Sequence, residues 1–161
     1  MDQKVKKILG TGLSGGYGSS NYGKSTRAGF ELDLSDYSGL EGKYHDEWVA
    51  HENGGGQELV EIEGEKATRV YAGGSLNPAA LKKIGLTEDV VSTELKYFLK
   101  SLGDKSRLDE NISDEHGQFK YTYKVLNNVD SIPVIVGEEE IRYGKDNVLV
   151  FVHYHINSPV K

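Results

Sequence analysis

The chain has 161 residues, enough for one domain that buries a core without metal or disulfide staples. It contains no cysteine, which excludes disulfides, thiolate nucleophiles and cysteine-ligated zinc. A net charge of −6 without a clustered basic run argues against a nucleic-acid surface, and ten tyrosines favour strands over a helical bundle.

The first nine residues, Met1 to Leu9, lack the apolar core of a secretory signal. No apolar run is long enough to span a membrane. A cytoplasmic protein without a membrane partner is therefore expected. Residues 1–25 read as a flexible segment rich in glycine and serine, with a loop from Gly10 to Gly23.

Inside that segment, Gly18-Ser19-Ser20-Asn21-Tyr22-Gly23-Lys24-Ser25 satisfies the phosphate-loop pattern. Its context does not. A phosphate loop leaves a buried strand and opens a helix, whereas glycines and serines precede this one and a strand-like alternation follows it. The match reads as fortuitous.

Residues 26–161 read as a single domain. Phe30, Leu32 and Leu34 share one face of a first strand, and Tyr44, Asp46, Trp48 and Ala50 share one face of a second. A hairpin follows, with strands at Gly56 to Ile62 and Ala67 to Gly74 and a turn at Glu63-Gly64-Glu65-Lys66. Asn77 caps a short helix opened by Pro78 and closed by Gly85. Thr87 caps a longer one, over about residues 87–102, on which Val91, Leu95, Phe98, Leu99 and Leu102 form a stripe expected to pack on a sheet.

Asp104 to Gln118 is polar, has no period and reads as a connector. Phe119, Tyr121, Tyr123 and Val125 alternate with polar residues as a half-buried strand. Pro133 restricts the run after Ser131 to a sheet edge or a strand start. The strongest strand signal comes last: Gly137 to Tyr143, a turn at Gly144 to Asn147, then Val148 to Ile156.

The order of elements before and after the helices is alike. Lys43-Tyr44, Gly56, Glu58 and Tyr71 match Lys120-Tyr121, Gly137, Glu139 and Tyr154 in order. The expected fold is thus α+β, mostly antiparallel sheet from two related β-meander halves, about 26–76 and 118–160, joined by helices and the polar connector.

Tyr44-His45-Asp46-Glu47-Trp48 with a following Gly-x-Glu, Val70-Tyr71-Ala72-Gly73-Gly74, Phe119-x-Tyr121, Gly137-Glu138-Glu139-Glu140-Ile141 and Tyr154-His155 carry a resemblance. On these residues the chain resembles the prokaryotic family known as domain of unknown function 5680, from about Ala28 onward. It departs from that pattern at Ile156-Asn157, where the family would have Gly-Gly. The resemblance implies no activity. Similar proteins that follow a helix-turn-helix domain imply a sensing or effector module, but this chain has no such domain.

Three kinds of site are legible. Trp48, Glu58, Tyr71, Glu139 and Tyr154 are candidates to line a ligand cleft between the halves, where the two glutamates could also pair for acid–base work. His153 and His155 lie two apart on a strand and so share a face. They can bind a divalent metal with a third ligand from Glu139, Glu58, His45 or His51. Each group also has a plain structural role: the glutamates as solvated or backbone-bonded strand residues, the histidines and aromatics as core. The first expectation is a ligand-binding or interaction module for a small molecule, without a cofactor. The alternatives are a small metal- or carboxylate-dependent enzyme and a homodimer formed through a strand edge near Pro133.

Overall fold

The computed structural model describes residues 3–39, 42–49, 53–129 and 131–160. The fold is α+β: one nine-stranded antiparallel sheet with helices against one face. The chain opens with helix α1 (Gln3–Gly15) and a short 3-10 turn at Tyr17–Ser19. Strands β1 (Gly23–Arg27), β2 (Phe30–Gly39), β3 (Gly42–Trp48), β4 (Asn53–Ile62) and β5 (Glu65–Ser75) follow as a meander. Helices α2 (Pro78–Lys83) and α3 (Glu88–Leu102) and a 3-10 turn at Gly103–Lys105 lead to β6 (Ile112–His116), β7 (Phe119–Val129), β8 (Val134–Tyr143) and β9 (Val148–Val160). The strand order is β1-β2-β3-β4-β5-β9-β8-β7-β6, so the two meanders meet along β5 and β9.

Turn chemistry fixes the first meander. Ala28-Gly29 and Glu63-Gly64 all take positive φ, the conformation that tight hairpins need to match strand twist. In the second meander the ladder between β8 and β9 shifts register at Ile141/Arg142, and the extra residue is Val150. As a result Val150 and Phe151 are both buried, while Leu149 is only half-buried.

The segment read as a loop from Gly10 to Gly23 is instead largely α1 and the 3-10 turn, and β1 starts at its end. Val5, Ile8, Leu9 and Leu13 are buried at helical spacing and join the core with Tyr44 and Val60. The glycines that look like helix breakers allow close approach. A Cβ on Gly12 would stand 2.3 Å from the Tyr44 ring, and one on Gly10 2.3 Å from the Asp104 backbone. The phosphate-loop pattern is split between the 3-10 turn and β1, no helix follows it, and Lys24 pairs with Asp33.

Helix α3 has the expected N-cap. Thr87 Oγ1 accepts from the Val90 amide at 3.4 Å, and Gly103 closes the helix at φ 54°. Val91, Leu95, Phe98 and Leu99 are buried, with Leu102 at the margin. Phe30, Leu32 and Leu34 do share a face of β2, but it is the face away from the helices. Asp33 and Ser35, opposite Trp48 and Asp46, are the residues turned to the helix side and are buried; on the other face Leu32 is buried too, while Phe30 is exposed. On β3, Tyr44, Asp46 and Trp48 share the helix-side face as expected; Ala50 and His51 lie outside the described residues.

The polar connector is corrected most. It holds β6 and, before it, the buried run Ser106-Arg107-Leu108. Pro133 sits at a strand start, not an edge: β8 is interior, between β7 and β9, and the sheet edges are β1 and β6. The edge on which a homodimer was expected is therefore already paired within the chain. No helix among the described residues is long and apolar enough to cross a membrane.

Candidate functional site

Two glutamates organise the sheet face beneath the helices. Glu58 on β4 and Glu139 on β8 are both fully buried. A carboxylate there needs charged and hydrogen-bonding partners, since desolvation without them costs several kcal/mol. Glu58 receives the Tyr44 hydroxyl at 2.7 Å, Arg69 Nη2 at 2.6 Å and Arg69 Nε. Glu139 receives the Tyr121 hydroxyl at 2.8 Å, Arg107 Nε at 2.9 Å and Arg107 Nη2 at 2.7 Å. Burial alone would raise both carboxyls; the adjacent guanidinium overrides it in each case and holds Glu58 low and Glu139 well below the usual range. Both are thus fixed anions, and neither suits general-acid work.

Strand register places these groups equivalently. Tyr44 faces Val60 and Asp46 faces Glu58 as Tyr121 faces Ile141 and Tyr123 faces Glu139. Across the next ladder, Gly56 faces Tyr71 and Glu58 faces Arg69, as Gly137 faces His155 and Glu139 faces His153. At the seam Tyr71 faces His155, with Arg69–Asn157 and Gly73–His153 on either side. About the Tyr71–His155 pair the pairings of β3, β4 and β5 thus run like those of β7, β8 and β9, whereas the β1–β2 ladder has no counterpart. The partner of Tyr71 is His155, not Tyr154, one residue from the sequence-based match.

That position explains Arg107. Glu58 takes its arginine from the facing residue of the neighbouring strand, but the corresponding residue beside Glu139 is His153. The second guanidinium comes instead from the connector, held at φ 60°. The loop is fastened there by its own carbonyls: Arg107 O accepts from Arg69 Nη1 at 3.2 Å and Asn157 Nδ2 at 3.4 Å, and Leu108 O accepts from the Tyr123 hydroxyl at 3.0 Å. An unusual backbone conformation over-determined in this way is characteristic of functional sites.

Above this layer lies a cavity of about 550 Å³ between the first half of α3, the Tyr17–Ser19 turn and strands β3, β4, β5 and β9. Strand positions without side chains help make it, since Gly54, Gly55 and Gly74 line it. Tyr17, Tyr22 and Trp48 form one wall, with Tyr17 and Tyr22 edge-on to the indole at 5.7 and 5.2 Å between ring centres. Asp46, Tyr71, Arg107 and His153 bring polar groups to the inner end. The Tyr71 hydroxyl donates to Asp46 Oδ1 at 3.0 Å.

Of the sequence-predicted ligand residues, Trp48 and Tyr71 line the cavity. Glu58 and Glu139 lie below it in their separate arginine pairs and do not act as a shared carboxylate pair. Tyr154 is exposed on the opposite sheet face, because its neighbours His153 and His155 turn inward. His153 and His155 do converge with Glu139. The other suggested ligands are engaged or elsewhere: Glu58 holds Arg69, and His45 Nδ1 is 2.6 Å from Asp36 at the surface. Asp46 and Arg107 were missed in the sequence. No local signal marks Arg107, which lies in a polar run without period.

Asp46 is almost fully buried, and burial followed by the charge of Glu58 pushes its carboxyl from 3.8 up to about 8. Folded protein then binds more protons than unfolded protein between these values. The Asp46 contribution to stability is complete below about pH 4 and lost as pH rises toward 8. Asp46→Asn removes that dependence, so denaturant unfolding should show the variant gaining stability relative to wild type from pH 4 to 8. Parallel pH profiles would mean that Asp46 ionises at an ordinary pH.

Comparison with family models, curated proteins and solved structures gives no match. The site therefore speaks through its geometry.

Proposed function

We propose that the protein is a small-molecule-binding module whose ligand occupies the cavity under α3. The observation that carries this is the pairing of an aromatic wall with buried polar groups in a space of about 550 Å³, within the usual range for ligand pockets of roughly 300–1,000 Å³. Tyr22 and Trp48 suit a planar ring, and Tyr71, Asp46 and the edge of Arg107 suit hydrogen-bonding atoms on it. Arg107 Nε and Nη2 are committed to Glu139, whereas Nη1 has no hydrogen-bond partner among the described residues. The ligand class is a planar aromatic compound carrying acceptor oxygens or nitrogens.

The same proposal takes the two meanders as related halves, supported by the ladder-by-ladder correspondence about Tyr71 and His155. It also keeps the likeness to the domain 5680 family, because Tyr44, Asp46, Trp48, Tyr71 and Glu139 among the residues carrying that likeness stand in or beneath the cavity. A sensing or effector role follows from this reading.

Trp48 is the sole tryptophan and lies in the cavity wall, so its emission reports occupancy directly. A panel of phenolic acids, nucleobases, indoles and flavins should contain compounds that change Trp48 emission saturably and raise the melting temperature. Ser92→Phe, which projects a ring into the cavity from α3, should abolish both responses. If no compound gives a saturable response, or the response survives Ser92→Phe, the cavity is not the binding site.

A further inference from the structure

We propose that Glu139, His153 and His155 bind a divalent transition-metal ion at the inner end of the cavity. The three residues occupy adjacent inward positions of β8 and β9. Glu139 faces His153 across the ladder, and His155 is the next inward residue along β9. Each offers a ligand atom, and the three atoms all lie within 4.8 Å of one another. Glu139 Oε2 is 3.4 Å from His155 Nε2 and 4.0 Å from His153 Nδ1.

Tetrahedral zinc with bonds of about 2.0–2.1 Å sets its donors roughly 3.3 Å apart. The Glu139–His155 edge already has that spacing. The edges to His153 are wider, 4.0 Å from Glu139 and up to 4.8 Å from His155, so its ring has to move in by roughly 1–1.5 Å; it borders the cavity, which leaves it room for a side-chain rotation.

Lone-pair accounting shows a vacancy. Glu139 Oε1 accepts from Arg107 Nε and Tyr121, which uses both its lone pairs. Oε2 accepts from Arg107 Nη2 at 2.7 Å; its second lone pair meets only His155 Nε2, at the long distance of 3.4 Å. Nδ1 of His153, the atom that faces Glu139 Oε2, is buried without a hydrogen-bond partner among the described residues. Buried polar atoms left in this way are rare and point to an absent partner. A metal ion would take the second lone pair of Oε2, His155 Nε2 after loss of its proton, and His153 Nδ1.

Two imidazoles and a carboxylate suit zinc or ferrous iron. Because His153 lines the cavity, a fourth ligand would enter from there. The buried charges of Glu58 with Arg69 and of Glu139 with Arg107 already cancel. The ion's own charge would then favour an anionic fourth ligand, such as hydroxide or a phenolate or carboxylate oxygen. Metal binding itself does not depend on the small-molecule reading.

Tag-free, chelator-treated protein titrated with Co²⁺ alone tests the site. One Co²⁺ per chain should give a visible d–d absorption band of four- or five-coordinate intensity, displaced by Zn²⁺. His153→Ala and His155→Ala should each weaken binding at least about 100-fold, while His45→Ala at the surface should leave it unchanged. His155 is fully buried and its variant could misfold; His153 at the cavity margin keeps the test decisive. The proposal fails if Co²⁺ gives no such band, or if the band persists unchanged in His153→Ala. Trp48 titrations with organic compounds in metal-free protein report the cavity separately, so either reading can fail alone.

Discussion

Arg107→Ala should destabilise the protein by about 3–5 kcal/mol, because it leaves the Glu139 carboxylate buried without its cation. Only the Tyr121 hydroxyl and the long His155 contact would remain on that carboxylate. The stability lost in the single variant is therefore mostly the cost of an uncompensated charge, not the net worth of the pair. A second substitution separates the two. Arg107→Met combined with Glu139→Gln removes both charges and keeps a group that can accept from Tyr121, so the double variant should be more stable than Arg107→Ala. Denaturant midpoints for the two proteins decide it. A loss below about 1 kcal/mol in Arg107→Ala would show that Glu139 is hydrated or easily protonated, and the buried-pair account would fall.

The same pair shows what sequence can and cannot convey. The hairpins, the caps of α2 and α3, and the helical stripe were legible because each rests on neighbours a few residues apart. Glu58 and Glu139 were also legible as a pair to compare, since each closes a Gly-x-Glu run in a strand-like segment. Their burial was not. Glu139 stands in the run Glu138-Glu139-Glu140 and so reads as a solvated strand residue until its cation is located, although period two puts it on the face of Ile135 and Ile141. Arg107 stands 32 residues before Glu139 in a run that has no period. The Tyr44 ring likewise explains Gly12, but only contact across the fold reveals that a Cβ there would strike it. Side-chain direction at Tyr154 was legible but misjudged: period two, which sets it opposite His153 and His155, already excludes it from the cleft those residues face.

Phe98→Ala is expected to cost about 3–5 kcal/mol, the range for removing a fully buried aromatic side chain. Its ring is the link between the helix layer and the buried site. Phe98 stacks on Tyr121 at 5.3 Å between ring centres, and the Tyr121 hydroxyl donates to Glu139. The adjacent Tyr97 provides the control. It is 43% exposed and stacks on His116 at 3.8 Å, outside the core. Tyr97→Ala should cost no more than about 1–2 kcal/mol, because it removes two aromatic contacts of a half-exposed ring but no fully buried side chain. Thermal and denaturant unfolding of the two variants would then differ sharply although the residues are adjacent. Equal losses would mean that α3 does not bury the stripe of Val91, Leu95, Phe98 and Leu99. In that case the cavity beneath the same helix would lose its roof, and the binding proposal its physical basis.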